Sequence, residues 1–126
     1  VVMRKITLAL AAVTMSAIGG TAFAEGDPAV GAKVFNKCKA CHTVEEGGKN
    51  KVGPNLHDIV GRAAGLVEGY RYSKAMAGSG ITWDEATLIA YLENPRKFVK
   101  GTKMSFAGLK KPADRDNVIA YLKAPQ

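Results

Sequence analysis

Cys38, Cys41 and His42 bring both cysteines of the chain and one of its two histidines into a single short stretch, Cys-Lys-Ala-Cys-His. Three chemistries call for sulfur and imidazole at this spacing: a redox dithiol, part of a zinc site, or an anchor for a porphyrin. A redox Cys-x-x-Cys pair opens a helix after a strand, where the helix N-terminus lowers the thiol pKa. Here the pair falls at the end of an expected helix, and no strand-like run precedes it. Zinc takes four ligands in a tetrahedron, and the available set is Cys38, Cys41, His42 and His57. The adjacent Cys41 and His42 would then have to bend onto one ion. Cys-x-x-Cys-His as a unit is the attachment signature of c-type haem. Residues three apart share a helical face, so Cys38 and Cys41 can reach two vinyl groups on one porphyrin edge as thioethers. His42, about 100° further round, can turn its imidazole to the iron. Only the haem reading uses every member of the cluster.

One histidine leaves the opposite iron position to be filled or left open. An open position implies an enzyme or ligand sensor, whereas a thioether saturates the iron and raises its potential. Of the four methionines, Met3 and Met15 lie in the N-terminal segment, leaving Met76 and Met104. Met76 keeps apolar spacing with Tyr72 on a short helical segment and reads as core filler. Met104 sits in Lys-Gly-Thr-Lys-Met-Ser-Phe-Ala-Gly, with no helical face to bury it, and iron is the partner it fits.

The compartment follows from the first residues. Arg4 and Lys5 precede an apolar run from Ile6 to Ile18, and Ala22-Phe23-Ala24 closes it with a small-x-small pattern. This is the pattern of a secretory signal peptide over residues 1–24, cleaved after Ala24. The run is too short to serve as a membrane span, which needs about 20 residues. One small domain remains, residues 25–126. Two cysteines so close in sequence cannot staple a domain of that size, so a cofactor is the expected source of extra stability. The formal net charge is +7, two units of it from Arg4 and Lys5. An exported basic protein calls for an acidic partner surface. Nucleic acid is set aside, because arginines and aromatics are not interleaved along the chain.

The elements that must position these groups read as helices. Asp27-Pro28 is a cap followed by an N1 proline, with Val30, Val34, Phe35 and Cys38 on one face, and predicts a helix from about Pro28 to Lys39. Thr82-x-x-Glu85 reads as a capping box before Leu88, Ile89, Tyr91 and Leu92, with Pro95 just beyond the end. A last helix from near Pro112 carries Val118, Ile119, Tyr121 and Leu122, and a short turn is expected at Ser73 to Ala77. No alternating β-branched run suggests a strand. The fold class is therefore all-α, with long glycine-bearing loops that need something to wrap around.

Three stretches in order, Gly31–Arg62, Gly80–Lys111 and Arg115–Lys123, resemble the class I cytochromes c, specifically mitochondrial cytochrome c and the bacterial cytochrome c2 group. The resemblance covers nearly all of residues 25–126. It implies a small fold in which the N- and C-terminal helices cross, Gly31 and Phe35 meeting Val118 and Tyr121, while loops wrap one covalent haem c. It implies His42 and Met104 as axial ligands. It gives Pro54 as the carbonyl acceptor of the His42 ring N–H, Tyr72, Trp83 and Arg62 as donors to the propionates, and Tyr91 as the phenol beside the Met104 sulfur. His57 corresponds to a surface position. Two residues depart from the mitochondrial pattern. Met76 stands where an asparagine near the haem is common, and Asn50 where a loop-tying histidine is common.

The function so implied is that of a monomeric single-haem electron carrier, not an enzyme. It would pass electrons from a bc-type complex to a cytochrome oxidase or a photosynthetic reaction centre, in the periplasm. Lys33, Lys37, Lys51, Lys97, Lys100, Lys103, Lys110 and Lys111 form the expected basic ring for acidic membrane complexes, and Asp84, Glu85, Asp114 and Asp116 fall on helices elsewhere.

Overall fold

The structure, a computed structural model, describes residues 11–13 and 25–124. The expected leader, apart from the exposed and irregular residues 11–13, lies outside the described residues. Five helices follow one another: α1 (Pro28–Phe35), α2 (Lys74–Ala77), α3 (Glu85–Glu93), α4 (Pro95–Phe98) and α5 (Pro112–Lys123). Among the described residues no strand forms, and Ala63 and Thr82 meet only in an isolated antiparallel bridge.

α1 begins where the sequence places it. The Asp27 carboxylate accepts from Ala29 N (2.8 Å) and Val30 N (3.4 Å), and Pro28 takes the position where a missing N–H costs nothing. The helix ends at Phe35, earlier than predicted, because the chain tightens into successive turns: Cys38 N donates to Phe35 O (2.8 Å), and Cys41 N and His42 N both donate to Cys38 O (3.0 and 2.9 Å). Val30 is 40% exposed, so the inner face of α1 is Gly31, Val34 and Phe35 and does not include Val30.

That face lies on α5. A Cβ on Gly31 would fall 1.8 Å from the Asn117 carbonyl oxygen and 2.8 Å from Tyr121 Cβ, so only hydrogen fits between the two backbones. Phe35, 1% exposed, tilts against Tyr121 with ring centroids 5.2 Å apart. Asn117 Oδ1 accepts from Asp27 N (2.8 Å), fastening the start of α1 to the same helix. Val118, Ile119 and Leu122 turn inward as the periodicity predicted.

α3 starts two residues later than the expected capping box. Asp84, not Thr82, is the cap, its carboxylate accepting from Thr87 N (2.8 Å), while the Thr82 carbonyl accepts from the Thr87 hydroxyl (2.6 Å). A charged acceptor placed next to the first turn wins over threonine. Asn94 then ends α3 and caps α4, so Pro95 opens a one-turn helix that the sequence reading missed. Arg115 is buried and its Nη1 donates to Leu109 O (2.7 Å), an internal tie that the sequence reading did not anticipate.

Gly31→Ala should lower stability by about 2 kcal/mol or more, because backbone must move to admit the methyl. Gly47→Ala should cost about 1 kcal/mol, since it has positive φ but no atom within 4 Å of the added carbon. Denaturant titration of the two variants checks this, and equal midpoints would contradict the close crossing.

Candidate functional site

The turn after α1 places Cys38 and Cys41 three residues apart around one carbonyl, and both sulfurs are free and half-buried. Burial pushes the Cys38 thiol pKa up, Cys41 adds to this, and Lys37 opposes it. A redox dithiol needs its attacking thiol shifted the other way, so the environment disfavours that reading. Among the described residues no group of three or more His, Cys, Asp or Glu side chains is arranged to hold a metal ion, so the tetrahedral set that zinc would need is not assembled.

His42 follows with its ring fixed. Its Nδ1 lies 2.7 Å from the Pro54 carbonyl oxygen, which makes Nδ1–H the donor and leaves the Nε2 lone pair outward. Burial, the larger cause, lowers the His42 pKa, and the Pro54 bond only partly offsets it. A neutral imidazole with one free lone pair is what a metal requires of a histidine. The ring is pressed from behind by Gly53, where a Cβ would fall 2.3 Å from His42 Cε1. Gly53 N in turn donates to Cys41 O (2.8 Å), closing the segment onto the Cys-x-x-Cys-His turn. Pro54 is thus placed as the sequence reading expected of a ring acceptor.

Met104 sits half-buried against the core between Thr102 and Phe106. Its N–H donates to Thr102 Oγ1 (3.3 Å), which is itself 3.1 Å from the Tyr91 hydroxyl, and that hydroxyl lies 3.9 Å from Met104 Sδ. Trp83 and Tyr91 pack at 4.9 Å between centroids, and Tyr91 and Phe98 at 6.3 Å. Met76 is buried among the same hydrophobic cluster, as a core residue would be.

A group with carboxylates would complete what the chain leaves open. Arg62 donates through Nη2 to His57 O (2.7 Å), but its buried Nε has no partner. A buried guanidinium N–H without an acceptor is costly, and a propionate would supply one. Tyr72, expected at the same group, is half-buried and its oxygen accepts from Val67 N (3.0 Å), which leaves its own O–H free to donate. Burial is the first cause of its raised pKa. Trp83 is buried at 6%. These residues fit a haem on polar and apolar grounds alike.

The remaining expectations sort plainly. His57 has Nδ1 3.3 Å from Val44 O and Nε2 3.3 Å from the Asp58 carboxylate, so both nitrogens are engaged away from any metal. Asn50 ties its loop on both sides, donating to Glu68 O (3.0 Å) and accepting from Asn55 N (2.9 Å). All eight lysines of the expected ring are exposed. Three of them are spoken for: Lys51 donates to Lys39 O (3.1 Å), Lys110 to Glu93 O (2.8 Å), and Lys103 to Arg71 O. The lysine list was readable from sequence, but the internal carbonyls that capture part of it were not.

Fold and site together define a small helical protein built around a covalently held haem. The cytochrome c family model matches residues 28–125. Cytochrome c2 of Rhodomicrobium vannielii is 52% identical over 118 residues, covering 94% of this chain and 92% of that protein. Cytochrome c of Gibberella zeae is 54% identical over 101 residues, covering 79% of this chain and 95% of that protein. Among solved structures, cytochrome cH from Methylobacterium extorquens superposes with a TM-score of 0.74 at 50% identity, covering 78% of this chain and 98% of that one. The chain belongs to the cytochrome c family, in its class I c-type group. It carries one covalently attached haem c and serves as an electron carrier, not as an enzyme.

Burial raises the Tyr91 pKa above its ordinary 10.0, and the Thr102 bond opposes this. The unfolded phenol therefore ionises first. Its contribution to stability is full below pH 10.0 and is lost as the pH rises through the higher folded value. Denaturant midpoints measured on either side of pH 10.0 should fall less steeply for Tyr91→Phe than for the parent, and parallel curves would contradict the assignment.

Proposed function

We propose that the chain is an exported, freely diffusing one-electron carrier that docks by its basic face on acidic membrane complexes, receiving electrons from a bc-type complex and giving them to an oxidase or a photosynthetic reaction centre. The observation that carries this reading is the pair of fixed ligand side chains: His42, with Nδ1 held by Pro54, and Met104, held through Thr102 and Tyr91. When bound, haem c supplies a one-electron ferric/ferrous couple whose potential is raised by thioether ligation and burial.

The residues divide the work. Cys38 and Cys41 anchor the porphyrin as thioethers. His42 and Met104 would be the two side chains that hold the iron, leaving no need for a further ligand. Arg62, Tyr72 and Trp83 would donate to the propionates, and the buried Arg62 Nε without a partner is the observation that supports this. Tyr91 and Thr102 position the sulfur.

Docking falls to the lysines. Lys37 adjoins Cys38, Lys97 lies on α4, and Lys100 follows that helix on the way into the Met104 loop. The side-chain ammonium groups of Lys33, Lys37, Lys97, Lys100 and Lys111 are exposed and keep their field for steering. At the start of α3 the acids are occupied: Asp84 caps the helix and Glu85 pairs with Lys123. Export is supported by the leader pattern and by the cytochrome c2 match, which covers 94% of the chain and so extends beyond residues 28–125. Among the described residues no helix is long and apolar enough to cross a membrane.

Oxidation by oxidase-containing membranes should slow several-fold between about 0.01 M and about 0.15 M salt, as the screening length falls from about 30 Å to about 8 Å. Lys97→Glu should slow it at low salt and flatten that dependence. A rate indifferent to salt would remove the docking face. Rapid carbon monoxide binding by the reduced protein at neutral pH would instead support a ligand-binding haem protein.

A further inference from the structure

Asn50, one of the two departures from the mitochondrial pattern, is joined to His42 through a single peptide unit. Its Oδ1 accepts from Asn55 N (2.9 Å), and its Nδ2 donates to Glu68 O (3.0 Å). A backbone N–H only donates and a carbonyl only accepts, so these two partners fix which way round the amide lies.

Asn55 N belongs to the same peptide as the Pro54 carbonyl, the group that accepts from His42 Nδ1 (2.7 Å). Donors and acceptors therefore stand head to tail in one line: His42 Nδ1–H to Pro54 O, Asn55 N–H to Asn50 Oδ1, and Asn50 Nδ2–H to Glu68 O. The peptide cannot turn out of that line. Asn55 Oδ1 accepts from His57 N (3.0 Å), its Nδ2 donates to Thr43 Oγ1 (2.7 Å) and Glu45 O (2.9 Å), and Gly53 N donates to Cys41 O (2.8 Å), so the backbone is held on both sides of Pro54. Each bond in such a chain polarises the next and strengthens it by about 10–30%.

We propose that Asn50 is a positioning residue for His42: by accepting from the Asn55 N–H it makes the Pro54 carbonyl a stronger acceptor, which draws the Nδ1 proton and shifts electron density towards Nε2. The inference rests on His42 being an iron ligand. It goes beyond a loop tie, which needs only the bond to Glu68 O. A more basic histidine stabilises the higher oxidation state, so Asn50 favours ferric iron without touching it.

The test reads the His42 Nδ1–H proton resonance in the reduced haem protein, and the ferrous-to-ferric ratio at a fixed redox poise, for the parent, Asn50→Leu and Asn50→Asp. Leucine removes both bonds, whereas aspartate keeps the acceptor for Asn55 N and loses only the donor to Glu68 O. A relay therefore sends the two variants in opposite directions. Asn50→Leu should move the resonance upfield and raise the ferrous-to-ferric ratio about twofold, and Asn50→Asp should move it downfield and lower the ratio. A role confined to tying loops would shift the resonance the same way in both variants, since both lose the bond to Glu68 O, and that result would overturn the relay. So would an unmoved resonance in either variant, whatever the ratio does, because the charge of an aspartate can act on the iron without these bonds. If the His42 ring protons lack the upfield shift that haem ligation imposes, the iron assignment of His42 fails, and the Nδ1–H resonance alone then decides the relay.

Discussion

The close crossing of α1 and α5 at Gly31 is the constraint on which the rest of the molecule depends. α1 runs directly into the turn bearing Cys38, Cys41 and His42, and α5 is preceded by the loop bearing Met104. Locking Gly31 against the Asn117 carbonyl therefore sets the two halves of the iron chemistry in one frame. Phe35, Val118 and Leu122 seal that junction, and each buried side chain of this kind contributes about 1.5–3 kcal/mol. The ligands themselves lie beyond the regular helices, where loops must be held by specific polar contacts.

Those contacts follow one logic. Each functional side chain has a neighbour that removes its freedom without using its reactive atom. Pro54 O accepts from the His42 Nδ1–H and leaves Nε2; Thr102 holds the Met104 backbone and leaves the sulfur; His57 O accepts from one Arg62 nitrogen and leaves another without a hydrogen-bond partner. The chain thus keeps free the atoms that a haem would use. Glycine serves the same end at Gly53, where any side chain would displace the His42 ring.

Much of this could be read in the sequence. Asp27-Pro28, the apolar spacing of α5 and the Cys-x-x-Cys-His unit are local signals with local causes, and the structure places the two helices as read apart from the early end of α1. Thr82 and Val30 were misplaced for a common reason: periodicity and cap motifs tolerate shifts, and tertiary packing chose Asp84 and Gly31 instead. The long-range ties were not legible. Asn50 to Glu68, Lys110 to Glu93 and Lys103 to Arg71 join side chains to carbonyls far along the chain, and nothing in residue type marks which lysine will find a carbonyl and which will stay in solvent. The pairing of Met104 with His42 rested on resemblance and on the oddity of a methionine in a lysine-rich loop.

Electron carriage by this chain depends on that pairing. X-ray absorption at the iron edge, recorded on the parent haem protein and on Met104→Ala, addresses it most directly. The account predicts one sulfur neighbour and five nitrogens in the parent in both oxidation states, with the sulfur lost in the variant. An iron without a sulfur neighbour in the parent, or a sulfur neighbour that survives in Met104→Ala, would contradict it.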